Sequence, residues 1–154
     1  MNNKLTAKVA ARNRVAAYVK EVAPQILAAL TPFVGQKVEL ATGELSAKAK
    51  KALEPFLGNK DKIQIYRGSS NYSLYFVFKT SESLPEYSCI YDEVSFYVGD
   101  LSGGILTKIN EFKPENYKSD WNAAEIAQTL AAAEAKRKEA QNLESSVYPF
   151  VDIR

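Results

Sequence analysis

Between Lys62 and Ile109, four β-rich runs follow one another with links too short for anything but hairpins. The runs are Lys62–Arg67, Asn71–Thr80, Tyr87–Val98 and Ile105–Ile109, dominated by Ile, Val, Phe and Tyr. Gly-Ser-Ser, Ser-Glu-Ser-Leu-Pro and Ser-Gly-Gly separate them. A parallel crossover needs about a dozen residues or more, so these strands are expected to pair antiparallel as a four-stranded meander.

Side chains alternate across a strand, so parity assigns the faces. Ile63 and Ile65, then Leu74, Phe76 and Phe78, then Ile90, Val94, Phe96 and Val98 make one apolar face, the expected core. The other face collects Gln64 and Tyr66, then Tyr75, Val77 and Lys79, then Tyr87, Cys89, Tyr91, Glu93, Ser95 and Tyr97. Tyrosine combines a large apolar ring, a polar tip and few rotors to freeze, which concentrates it in recognition surfaces. Tyr66, Tyr75, Tyr87, Tyr91, Glu93 and Tyr97 are therefore the candidate partner-binding residues. Two other fates are open to this face. Tyrosine has high β-propensity and pairs across strands on exposed sheets that bind nothing, and a covering helix would turn the face into a second core.

Two polar residues fall on the core parity, Arg67 beside Ile65 and Asp92 beside Ile90 and Val94. A carboxylate in an apolar layer must pair, protonate or be turned out to water at a bulge. An Arg67–Asp92 pair across the sheet would satisfy both.

Helices are expected on either side of the meander. Over residues 4–30, Ala11, Val15, Tyr18, Val22 and Ile26 recur at helical spacing, with Lys4, Lys8 and Arg12 on another face. Pro24 removes a backbone donor and predicts a kink or a break there. Gln36–Leu40 suits a short strand, and Ser46 is placed to cap a helix over Ala47–Leu57 whose last turn Pro55 disturbs. A long helix is expected from Trp121 to about Ser145, capped by Ser119 or Asp120 and built of Ala, Glu, Lys and Gln. At ~1.5 Å per residue it would span nearly 40 Å, further than a small sheet can cover. Val147, Phe150 and Val151 make the last nine residues read as a tail that docks. The fold class is α+β, in one domain over 1–154.

Composition closes off several chemistries. There is no histidine, so neither a Ser-His nor a Cys-His nucleophile nor the usual zinc sites can be assembled. The single cysteine, Cys89, rules out an internal disulfide and suits a reducing compartment, read here as the cytoplasm. No apolar run approaches the roughly 18 residues of a membrane span, and no glycine-rich phosphate loop or calcium loop is present. No cofactor or metal is expected. Residues 1–81 carry thirteen Lys/Arg against five Asp/Glu, whereas residues 82–125 carry three against nine, giving a dipolar surface able to steer a partner.

The expected function is therefore that of a small non-enzymatic binding protein, of inhibitor or immunity type, engaging a protein through the tyrosine face. A single-stranded nucleic-acid binder is the alternative, with Tyr66, Tyr75 and Tyr91 stacking on bases and Lys62, Lys79 and the basic first helix meeting phosphates. A small hydrolase or lyase using Asp92 or Glu93 is the second alternative. Self-association would use the C-terminal helix or a sheet edge.

Overall fold

The computed structural model describes residues 3–38, 47–60, 63–84, 87–148 and 150; the side chains of residues 60 and 82–89 fall outside that description. Helical apolar spacing produces α1 (Asn3–Leu30), which buries Val15, Val19, Val22, Ile26 and Leu30 along one stripe. The helix is not broken at Pro24, which sits on its exposed side, so the only hydrogen bond forfeited is the one to the Lys20 carbonyl. Tertiary packing of the buried stripe holds the turn that backbone chemistry alone would weaken. A 3-10 turn at Thr31–Phe33 ends it.

Lys37 then makes one isolated bridge to Ile105, all that the described residues show of the expected strand over Gln36–Leu40. Ser46, the expected cap, lies outside the described residues. Helix α2 (Ala47–Leu53) is shorter than expected, because Pro55 converts its last turn to a 3-10 turn over Glu54–Phe56. Gly58 leaves that turn with φ 109, a left-handed backbone that glycine adopts at no steric cost.

The sheet has five strands in the order β1 (Gly58–Lys60), β2 (Ile63–Ser69), β3 (Ser73–Leu84), β4 (Tyr87–Ser102) and β5 (Ile105–Ile109), each antiparallel to its neighbours. The four expected strands are present and β1 is added. Its sequence, Gly-Asn-Lys, has no β-propensity, and pairing with β2 alone makes it a strand. Helix α1 crosses the apolar face, where Tyr18 meets Phe78 edge-on with ring centroids 6.1 Å apart. Phe112 and Tyr117, in the connection after β5, extend the same core by packing on Phe96.

Helix α3 (Ala123–Ser146) is capped by Asn122, whose side chain accepts from the backbone N–H of Ala124 and Glu125, and not by Ser119 or Asp120. Its start is pinned to α1, because Asn13 both accepts from the Trp121 N–H at 2.8 Å and donates to the Trp121 carbonyl at 2.9 Å. Beyond Ala127 every residue to Tyr148 is exposed. Val147 and Phe150 are among these exposed side chains, while Val151 lies outside the described residues.

Candidate functional site

The face of the sheet opposite α1 carries the tyrosines in register. Tyr75 stands opposite Tyr97, and Gly68 opposite Tyr75; the next row is Tyr66, Val77 and Ser95; then come Gln64, Lys79 and Glu93; then Ser81 and Tyr91. Tyr66, Tyr91 and Tyr97 are 49%, 40% and 39% exposed, so no described element covers them. Tyr66, Tyr75, Val77 and Tyr97 form an aromatic patch, bordered on one side by the charged row of Lys79 and Glu93. An apolar centre with a polar rim is the usual anatomy of a binding surface. Tyr87 is paired with Leu84 in the backbone ladder, and its side chain lies outside the described residues.

Each exposed ring is held in place by its neighbours. Tyr66 donates to the Gln64 side chain, Tyr91 to Glu93 and Tyr97 to Asp100. The first two partners stand two residues away, on the same face by strand alternation. The Lys79 ammonium lies 4.5 Å from the centroid of the Tyr91 ring, a cation–π contact. Tyr75 has a different task. A Cβ built on Gly68 would collide with the far end of the Tyr75 ring, so that ring end covers the glycine. Tyr75 is accordingly only half-exposed.

Hydrogen bonding to a carboxylate favours the protonated phenol. The Tyr97 hydroxyl is pushed up to about 12, first by its bond to Asp100, then by partial burial and the Asp100 charge. Tyr91 is raised too, first by its bond to Glu93, then by desolvation and the charges of Glu93 and Asp92. Because the folded-state value for Tyr97 lies above the ordinary 10.0, its contribution is whole below that pH and is lost as pH climbs to about 12. Tyr97→Phe is therefore expected to be less stable than the parent at neutral pH, with the gap closing across that window. Urea unfolding over a pH series measures it; a gap that stays constant would show the Asp100 bond to be absent in solution.

Asp92 is buried, as its parity requires, but it does not meet Arg67. Register sets Arg67 against Phe76 and Asp92 against Thr80, at different levels of the sheet. The partners of Asp92 come from α1 instead: Arg12 at 3.3 Å and Lys8 at 3.6 Å. The same two side chains donate to backbone carbonyls of β4, Lys8 to Tyr91 and Arg12 to Glu93 at 2.7 Å. Over this stretch β4 extends past the short β5, and its outward carbonyls would form an open sheet edge. Lys8 and Arg12, two members of the basic stripe on α1, thus cap this edge. Sequence reasoning missed the cap because helical periodicity shows which residues share a face, not what that face meets.

Asp92 and Glu93 project from opposite faces of β4, Asp92 toward α1 and Glu93 toward Tyr91, so they do not form one carboxylate pair. Among the described residues no cluster of three or more His, Cys, Asp or Glu is placed to hold a metal, and no helix is long and apolar enough to cross a membrane. Two further features escaped the parity reading. Tyr72, inside the expected run Asn71–Thr80, falls in the β2–β3 turn ahead of β3 and is 80% exposed. A groove of about 480 Å³ separates the first turns of α3 from α1, lined by Leu5, Val9, Trp121, Ile126 and Leu130 with Asp92 at its side. Comparison of the chain with family models, curated proteins and solved structures returned no match.

Proposed function

We propose that this chain is a non-enzymatic binding module that engages a protein partner through the tyrosine face of its sheet. The observation that supports this reading is asymmetry: α1 buries one face, while the other presents Tyr66, Tyr91 and Tyr97 in fixed orientations, each more than a third exposed. Rings already held by local hydrogen bonds lose little freedom when a partner settles on them, which lowers the entropic cost of association. Glu93 and Asp100 place carboxylates among the rings, which favours a protein surface over a phosphate backbone. A small inhibitor or immunity-type protein is the class that fits.

The test uses Tyr66→Ser/Tyr97→Ser, leaving Tyr75 to cover Gly68. Wild type and variant are used to capture partners from native lysate with and without nuclease, and the captured protein is purified and titrated. Losing two ring anchors is expected to weaken that complex by about thirtyfold or more. Equal affinity for both chains would sink the reading. Capture abolished by nuclease would transfer the face to single-stranded nucleic acid.

A further inference from the structure

Helix α3 has 24 residues and buries none of them. Most helical stability in proteins comes from a packed face. Its far end nevertheless exposes Leu143, Val147 and Phe150 at 65%, 53% and 64%. Leu143 and its fourth neighbour Val147, the C-cap, share one side of the last turn, and Phe150 follows beyond the helix end at Ser146. At the near end, Ile126 and Leu130 line the apolar groove against Leu5 and Val9 of α1. The distal side chains cannot fill their own groove, because even Leu130 and Leu143 are 13 residues, about 20 Å, apart along the helix.

We propose that the occupant is a second copy of this chain: the α3 helices pair antiparallel across a two-fold axis, and the distal side chains of each seat in the α1–α3 groove of the other. A two-fold interface must be self-complementary, residue i meeting j while j meets i. The apolar pattern of α3 has that symmetry about the point between Lys136 and Arg137. Ile126 mirrors Val147, Leu130 mirrors Leu143 and Ala133 mirrors Ala140. The two small residues flank the axis, where the backbones must come closest. Near the axis itself, Arg137 is bonded to Glu134 of its own chain, which tempers the meeting of two like charges.

Charge points the same way. Residues 139–150 contain Glu139 and Glu144 and no base, while α1 is basic over its first four turns, with Lys8 and Arg12 on the groove and Asp92 as the groove's one acid. In the mirrored register Glu144 falls opposite Thr129, on the wall of that groove. The interface uses the helices only and leaves the tyrosine face open, so it stands independently of the proposed partner-binding function.

Sedimentation of the full chain from micromolar to sub-millimolar concentration is expected to show a monomer–dimer equilibrium. Leu130→Asp and Leu143→Asp should each raise its dissociation constant by about thirtyfold or more, the scale of one central apolar anchor. Both side chains are exposed in the single chain, so an unchanged melting transition of the sheet at high dilution confirms that each variant folds. Orientation is read by mild oxidation of cysteine substitutions made with Cys89→Ser, so that each chain holds one thiol, and the linked residues are located by mass spectrometry. Arg137→Cys, near the axis, should link to its own counterpart, whereas Leu130→Cys should not. A chain monomeric throughout, a dimer indifferent to both aspartates, or Leu130→Cys linking as readily as Arg137→Cys would each overturn the proposal.

Discussion

Gly99→Ala is expected to cost about 3 kcal/mol or more, the upper range for forcing atoms into a packed site. Gly99 lies in β4, opposite Ile109 and beside the register shift that turns β4 onto β5. A Cβ there would collide with the backbone carbonyl of Lys108 and fall 2.9 Å from its carbon and 3.1 Å from the Ile109 Cα. The obstacle is main chain, not the end of a flexible side chain, so β5 itself must retreat. Retreat would strain the bond from the Asn110 N–H to the Val98 carbonyl, 2.7 Å long, and draw Leu106 out of the core. Against a total stability of about 5–15 kcal/mol, such a loss is readily seen in urea unfolding. A variant within about 0.5 kcal/mol of the parent would show that β5 can move aside freely.

Phe78→Ala should be equally severe, at about 3–5 kcal/mol, the range for deleting a buried ring. Phe78 is fully buried in the middle of β3, between Ile65 on β2 and Val94 on β4. It carries the edge-on contact with Tyr18 through which α1 grips the sheet. The cavity would open at the junction of helix and sheet, and neither can collapse into it without disturbing Val15, Val22 or Phe76. Phe78→Leu, which refills most of the volume, should recover much of the loss. If Phe78→Ala cost under about 1 kcal/mol, the helix would not be seated on this face as described.

Local rules made much of the fold legible. The meander follows from β-rich runs with short links, and α1 from apolar residues at helical spacing. The elements that escaped were those whose sequence argues weakly or the wrong way. Gly58–Lys60 becomes a strand only because β2 offers it a ladder. Pro24 stays inside α1 because it faces outward while its neighbours Val22, Ala23 and Ile26 are buried. Asn122 caps α3 in place of the expected Ser119 or Asp120, because Asn13 fixes Trp121 just before it.

The candidate site divides in the same way. Strand parity, a property of the backbone alone, placed Tyr66, Tyr75, Tyr91, Glu93 and Tyr97 on one side and Asp92 on the other before any packing was known. Parity carries no information about what lies above a face or beyond an edge. Only the tertiary structure decided that α1 covers the apolar side, that Tyr75 serves Gly68, that Asp92 is answered by Lys8 and Arg12 in place of Arg67, and that α3 leaves the sheet exposed. Apart from Tyr75 over Gly68, those outcomes depend on contacts between residues far apart in the chain, such as Arg12 with Asp92, eighty positions away. Alternation and periodicity act over a few neighbours, so which distant surfaces meet is settled by the packing of the whole chain.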